Sequence, residues 1–163
     1  LVMEKVSALI NNYPNKANSF AVTDLNKDKP DIYLNPYKIE KLVYDITHPR
    51  SNNNIKKLLA CKIIQYLIVH ELAHILQRER GELEEIKKLV KLSPEEQLNH
   101  KIEIEADDIA YHYMSQQNDV SKAIAKYLIG LRRNKFDNFD STELLLMKGD
   151  INKLLNKNVF NDC

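Results

Sequence analysis

The sequence predicts one α+β domain that is mostly helical and carries a small antiparallel β-sheet. Apolar side chains recur at helical spacing over most of the 163 residues, and only three glycines and five prolines interrupt them. Two short β-prone runs near the N-terminus break this pattern. The length suits a single core, and nothing in the composition divides residues 1–163 into two domains.

The first predicted elements are a helix and a β-hairpin. Residues 2–11 carry one apolar stripe, which stops before Pro14. Residues 18–23 and 31–34 are β-prone, and a polar turn at residues 26–30 separates them. We therefore expect these two runs to pair as antiparallel strands.

Helix is predicted for the middle of the chain. Pro36 opens a helix that ends near His48. The asparagines at 52–54 can cap a long helix over residues 55–80, and Gly81 stands where a glycine commonly ends such a helix.

The remaining predicted elements are also helical. Residues 82–92 predict a charged amphipathic helix or lid. Ser93, Pro94 and Glu96 have the spacing of a capping box, so a helix should begin at 94 and run to about Gln117. Two further helices are predicted over residues 120–133 and 142–157.

The overall composition is that of an ordinary globular protein. A net charge of +1 with 29% charged residues provides no basic surface for nucleic acid and no acidic tail. Residues 58–76 approach the length of a membrane span, but polar side chains such as Lys62 interrupt them, so no span is predicted. The chain begins at Leu1 rather than Met, and we expect that a start segment has been removed.

The two cysteines stand in unlike contexts. Cys61 lies in an apolar helical segment and Cys163 is the last residue. This spacing indicates neither a disulfide framework nor a CxxC metal pair. The prediction is two free thiols.

The segment of residues 68–76, IVHELAHIL, places two histidines and a glutamate in the most apolar part of the chain. On a helix, His70 and His74 share one face and Glu71 lies about 100° from His70. Burying these groups without partners would cost several kcal/mol. A Zn²⁺ ion would satisfy them, because HExxH presents two imidazole nitrogens to a tetrahedral metal and leaves Glu71 beside a bound water. The alternative is a pair of core histidines with ordinary hydrogen-bond partners.

A zinc ion needs a third protein ligand, and the next long helix supplies candidates in EIEADDIA, residues 103–110. Glu103 and Glu105 diverge by about 200° on a helix, so only one of them can reach the metal. We choose Glu103, because Asp107 lies one turn further on the same face and can accept the second ring N–H of a histidine ligand. The alternative for this acidic run is a solvated helix face.

HELAH followed by EIEADDIA resembles the gluzincin metallopeptidases, in which HExxH is paired with a glutamate on a later helix. It is similar in particular to the soluble minigluzincins and to the peptidase domains of the CAAX-protease and HtpX-like family. The ImmA/IrrE-like peptidases share a similar pair of motifs. Upstream, Asn18-Ser19-Phe20-Ala21 and Ile32-Tyr33-Leu34-Asn35 stand in the order of two strands that precede HExxH in those families.

This resemblance implies a zincin-like domain in which the small β-sheet packs on the active-site helix. It implies zinc ligands His70, His74 and Glu103, a catalytic Glu71 and Asp107 as the hydrogen-bonding partner of a ligand. The implied activity is zinc-dependent cleavage of a peptide or protein substrate, with Glu71 as general base for an activated water. No nucleic-acid partner follows from it, and the compartment and oligomeric state stay undetermined.

One part of the family pattern is missing. The CAAX-protease and HtpX-like pattern continues with a His-Pro and an arginine beyond the second motif, which help to hold the oxyanion. Residues 131–163 contain no histidine, and the one His-Pro of the chain, His48-Pro49, precedes HExxH. The oxyanion donor is therefore unassigned, and the candidates are Tyr111, His112, Tyr113, Tyr127, Arg132 and Arg133.

Two further expectations concern binding and alternative functions. A substrate peptide would add to an exposed strand edge, for which residues 31–35 are the candidate by family likeness. One alternative function is a catalytically weak or inactive zinc-binding interaction module. Another is a regulatory peptidase that cuts one specific protein. The intact Glu71 argues against an inactive module, because this residue is dispensable for binding the metal but needed for hydrolysis.

Overall fold

The computed structural model describes residues 19–133, 141–157 and 163. Over these residues the chain is mostly helical with one two-stranded antiparallel sheet, which confirms the predicted α+β class. The predicted helix over residues 2–11 lies outside the described residues. The elements are β1 (Ala21–Asp24), β2 (Asp31–Leu34), α1 (Pro36–Ile46), α2 (Asn53–Glu79), α3 (Leu83–Val90), α4 (Pro94–Asn99), α5 (Lys101–Ser115), α6 (Asp119–Arg133) and α7 (Ser141–Lys157).

The predicted hairpin is formed by β1 and β2. Ala21 pairs with Leu34 and Thr23 with Ile32 in an antiparallel register. Ile32 and Leu34 are buried, as expected for a strand with one face on the core. The hairpin therefore lies with its apolar side against the helices.

The long helix α2 begins and ends where local sequence chemistry predicts. The side chain of Asn52 caps its start by accepting a hydrogen bond of 2.9 Å from the Ile55 N–H. Gly81 follows the last residues with a φ of 88°, a left-handed conformation that glycine adopts without steric cost. Residues 82–92, predicted as a helix or lid, contain the short helix α3.

The single helix predicted from 94 to about Gln117 is wrong, because the chain forms two helices there. Ser93 caps α4, with its hydroxyl oxygen accepting a hydrogen bond from the Glu96 N–H. His100 then adopts an extended conformation (φ −76°, ψ 138°), and its side chain caps α5 by accepting from the Ile102 N–H. A capping histidine between two helices has no 3.6-residue signature, so periodicity did not reveal the break.

Helix α5 packs along α2, and α6 and α7 complete the helical layer around them. Ala106 and Ala110 are fully buried, and their small side chains let α5 approach α2 closely. The buried core includes Leu59, Ile63, Met114, Ile124 and Ile151. This packing places the EIEADDIA segment of α5 opposite the HExxH segment of α2.

The prediction of two free thiols is wrong. The sulfur atoms of Cys61 and Cys163 lie in bonding contact as a disulfide, and their Cα atoms are 5.9 Å apart. That separation is usual for disulfides. The two residues are 102 positions apart in sequence, so only the tertiary fold could reveal the pairing.

Helix α2 is long and apolar enough to cross a membrane by length and composition. Its most apolar window has a mean hydropathy of 1.4, and half of that window is buried inside the protein. A buried core helix meets the same criteria. The absence of a membrane span thus stays a prediction.

Candidate metal centre

Two buried histidines from the middle of α2 form the first half of the candidate centre. His70 and His74 are 6% and 8% exposed. They are one helical turn apart, so their rings project from the same face of α2. The ring centroids are 4.9 Å apart, and the rings lie edge to face at 84°.

Glu103 from the first turn of α5 completes the group. Its Oε2 is 3.4 Å from His70 Nε2, and its Oε1 is 3.0 Å from His74 Nε2. Bond lengths of zinc to nitrogen and oxygen in a tetrahedral site imply ligand atoms about 3.3 Å apart. The ligand atoms of the three residues all lie within 4.8 Å of one another, so the group could hold a metal ion.

The outer ring nitrogens of both histidines face hydrogen-bond acceptors. His74 Nδ1 is 2.9 Å from Gln77 Oε1, within hydrogen-bond geometry. His70 Nδ1 is 3.0 Å from Asp107 Oδ1, but this oxygen lies off the direction of the ring N–H, so the hydrogen bond is poorly aligned. In both rings Nε2 is thereby the nitrogen that faces Glu103.

Asp107 belongs to a buried polar cluster behind His70. The Tyr66 hydroxyl donates to Asp107 Oδ1 at 2.9 Å, and the guanidinium of Arg132 contacts Asp107 Oδ2. Arg132 also lies 3.2 Å from Glu103 Oε2. Asp107 therefore has the position expected for a partner of a metal-binding histidine, and it is itself held by two further residues.

The electrostatics of the group favour a bound cation. Burial lowers the pKa of His70, but the carboxylates of Asp107 and Glu103 raise it more, to about 10. Burial also lowers the pKa of His74, and the hydrogen bond to Glu103 outweighs this, so the pKa is raised. Burial raises the pKa of Glu103, yet the two histidines hold it well below its usual range. Without metal, protons on the two histidines balance the negative charge of these carboxylates. An incoming metal ion must displace those protons.

Glu71, the predicted general base, lies on α2 between the two histidines and is 8% exposed. Its Oε2 accepts a hydrogen bond of 2.5 Å from the hydroxyl of Thr23 on β1. The hairpin therefore touches the centre through a side chain of β1. The negative charge of Glu71 also raises the pKa of both His70 and His74.

Glu105, the rejected ligand, faces another way. Its Oε1 accepts a hydrogen bond of 3.0 Å from Gln77 Nε2 and contacts the guanidinium of Arg80. The side chain is 40% exposed. This separation from Glu103 agrees with the divergence expected for two residues of a helix that are two positions apart.

Among the oxyanion candidates from the sequence, Arg132 contacts Glu103. His112 and Tyr113 line an open depression on the outer side of α5, together with Val69. Tyr127 lies in the core and is 1% exposed. Burial, with a smaller contribution from the charge of Asp45, raises the pKa of Tyr127 to about 12. Tyr111 is partly buried against that core.

Three residues that contact the centre were not found from the sequence. Gln77 follows His74 by three positions, a helical neighbour spacing that could have indicated a contact. Tyr66 precedes His70 by four positions and could have been found in the same way. Thr23 is 48 residues from Glu71, and no local pattern indicates that contact.

Comparisons of the chain with protein-family models, curated proteins and solved structures find no match. The case for function therefore rests on the chain's own geometry. The described residues contain a group of two buried histidines and one partly buried glutamate that could hold a metal ion, with a second glutamate beside it.

Proposed function

We propose that the protein is a zinc-dependent metallopeptidase, with His70, His74 and Glu103 as the metal ligands. The supporting observation is the convergence of the two Nε2 atoms and the Glu103 carboxylate at distances suited to a tetrahedral metal. Two imidazoles and one carboxylate from a buried site suit zinc, and three protein ligands leave a fourth position for water or substrate.

A bound zinc ion would polarise a peptide carbonyl and lower the pKa of a water molecule. Glu71 then acts as general base by accepting a proton from that water, and afterwards delivers it to the leaving amine. Thr23 holds Glu71 Oε2, so Oε1 is the oxygen available for this transfer. Arg132, whose guanidinium contacts the carboxylates of Glu103 and Asp107, positions them for ligand binding and for orienting His70.

The substrate peptide binds in this proposal along the edge of β1. Within the described residues, β1 pairs with β2 on one side only. An extended peptide can add to such an edge through backbone hydrogen bonds. The contact of Thr23 with Glu71 favours β1 for this role over residues 31–35, because a peptide on this edge would run past the general base.

The test compares wild-type protein with Glu71→Gln after metal analysis. Both proteins should contain equal zinc, and a mixture of peptides analysed by mass spectrometry should be cleaved by the wild type only. Glu79→Gln is the matched control, because Glu79 lies on the same helix with an exposed side chain. Its activity should equal that of the wild type. Equal cleavage by Glu71→Gln would contradict the assignment of the general base.

A zinc-stabilised binding module is the second candidate. It is favoured by the contacts of Arg132, which is already engaged by two carboxylates and is therefore not an unencumbered oxyanion donor. Stoichiometric zinc with no cleavage by the wild type, of peptides or of folded proteins, would support the module. Cleavage of one protein but of no short peptide would instead support a regulatory peptidase.

A further inference from the structure

The side chain of Gln77 connects the candidate metal centre to the start of α5. Gln77 is fully buried on α2, one turn beyond His74. Its Nε2 donates hydrogen bonds to the Ile102 carbonyl at 2.9 Å and to Glu105 Oε1 at 3.0 Å. Its Oε1 is 2.9 Å from His74 Nδ1. All polar atoms of this buried amide thus have partners.

These contacts determine the orientation of the Gln77 amide. A backbone carbonyl and a carboxylate can only accept hydrogen bonds, so the amide nitrogen must face Ile102 and Glu105. The amide oxygen must then face His74, and because this oxygen can only accept, the hydrogen of the pair belongs to His74 Nδ1. A neutral imidazole protonated at Nδ1 carries its free lone pair on Nε2.

We propose that Gln77 is a positioning residue that fixes His74 in the Nδ1–H form and so presents Nε2 to the metal. The same amide binds the carbonyl of Ile102, the residue before Glu103. Gln77 therefore holds two metal ligands from different helices in register. This inference rests on the metal centre of the proposed function and not on its peptidase activity.

The two histidines differ in how they are held. Asp107 lies near His70 Nδ1 but outside hydrogen-bond geometry, whereas Gln77 and His74 Nδ1 lie within it. Asp107 also accepts a hydrogen bond from the Tyr66 hydroxyl and contacts the guanidinium of Arg132. The hydrogen bond from Gln77 is thus the better-defined orienting contact of the centre.

The first experiment measures zinc affinity by competition with a chromophoric chelator. Gln77→Met keeps the length of the side chain but loses the amide, and zinc should bind about 10- to 100-fold more weakly. Thr47→Val is the matched control, because Thr47 is also buried and loses one side-chain hydrogen bond, to the Val43 carbonyl, away from the centre. Its zinc affinity should equal that of the wild type.

A rescue variant separates orientation from general damage to the fold. Gln77→Glu combined with Glu105→Gln keeps an acceptor for His74 Nδ1 and removes the like charge beside it, at the loss of the hydrogen bond to the Ile102 carbonyl. This pair should bind zinc more tightly than Gln77→Met. Gln77→Met binding zinc as tightly as Thr47→Val would overturn the inference. A pair that binds zinc no more tightly than Gln77→Met would overturn the role of Gln77 in orienting His74.

The second experiment needs no variant. Long-range proton–nitrogen NMR correlations of the zinc-loaded wild type report which ring nitrogen of His74 carries hydrogen. We expect hydrogen on Nδ1 and metal on Nε2, and the reverse would overturn the inference. A wild type that binds zinc but cleaves no peptide would contradict the proposed activity alone, and one that binds no zinc would overturn both.

Discussion

The hydroxyl of Thr23 donates a hydrogen bond of 2.5 Å to Glu71 Oε2, although the two residues are 48 positions apart. This bond joins the β-hairpin to the helix that carries both histidines. A hydrogen bond to an ionised group contributes more than one between neutral groups. The carboxylate of Glu71 is therefore held in one orientation by a residue that binds no metal.

Thr23→Val should slow peptide cleavage and leave zinc binding unchanged. Loss of a hydrogen bond to a charged group costs about 1.5–3 kcal/mol, which corresponds to a reduction of kcat by roughly 10- to 100-fold if the bond acts in the transition state. KM should change little, because Thr23 orients the base rather than the substrate. Thr23→Ser retains the hydroxyl and should recover most of kcat. A wild-type kcat in Thr23→Val would rule out this role.

Glu103→Gln and Glu105→Gln should behave differently. Glu103→Gln removes the charge of a metal ligand, so zinc affinity and peptidase activity should fall together. Glu105→Gln changes a partly exposed side chain that contacts Arg80. Zinc should be retained, and the free energy of unfolding should change by no more than about 0.5 kcal/mol. Zinc titration with chemical denaturation measures both effects. The opposite pattern would make Glu105 the ligand.

Asp107→Asn should leave zinc bound but weaken its affinity roughly 10- to 100-fold, as for other residues that orient a histidine ligand. The position of Asp107 behind His70, with the Tyr66 hydroxyl on the same oxygen and Arg132 on the other, is the basis of this expectation. Competition titration with a chelator measures the change. Complete loss of zinc would instead indicate that Asp107 is a direct ligand.

Zinc removal should destabilise the fold, and by more at high pH. The pKa of His70 is raised from 6.5 to about 10, so its contribution to metal-free stability is complete below pH 6.5 and is lost as the pH rises toward 10. The pKa of Glu103 is depressed, so its contribution to metal-free stability is complete above its ordinary pKa and is lost as the pH falls. Protons also compete with zinc for the histidines, so zinc affinity rises with pH.

The melting temperatures of zinc-loaded and chelated protein should therefore differ more at pH 8.5 than at pH 6. Thermal unfolding with and without a chelator at both values measures this difference. His74→Ala should abolish it at either pH, because the variant loses tight zinc binding. An equal difference in melting temperature at pH 6 and pH 8.5 would contradict the competition between protons and metal.

Local chemistry predicted much of the fold and the core of the site. HExxH and the later acidic run pointed to His70, His74 and Glu103, which the structure brings together. Helical geometry places the two histidines on one face, and the position of Asp107 favoured Glu103 over Glu105. Gly81 and the capping box at Ser93 marked helix ends correctly, since both act within a few residues of the chain.

Features that depend on tertiary contacts were not predicted. The pairing of Cys61 with Cys163 and the contact of Thr23 with Glu71 each join segments that only folding brings together. The break at His100 was missed for a different reason. An apolar stripe continues in register across it, so periodicity alone described two helices as one.

That break changes the electrical environment of Glu103, the proposed third ligand. In an uninterrupted helix from Pro94, Glu103 would lie in the interior, where successive peptide dipoles cancel locally. With His100 as the cap, Glu103 stands in the first turn of α5, where the unpaired N–H groups carry the positive end of the helix macrodipole. A carboxylate is favoured there in its ionised form. The helix start thus acts in the same direction as the two histidines, which hold the pKa of Glu103 well below its usual range.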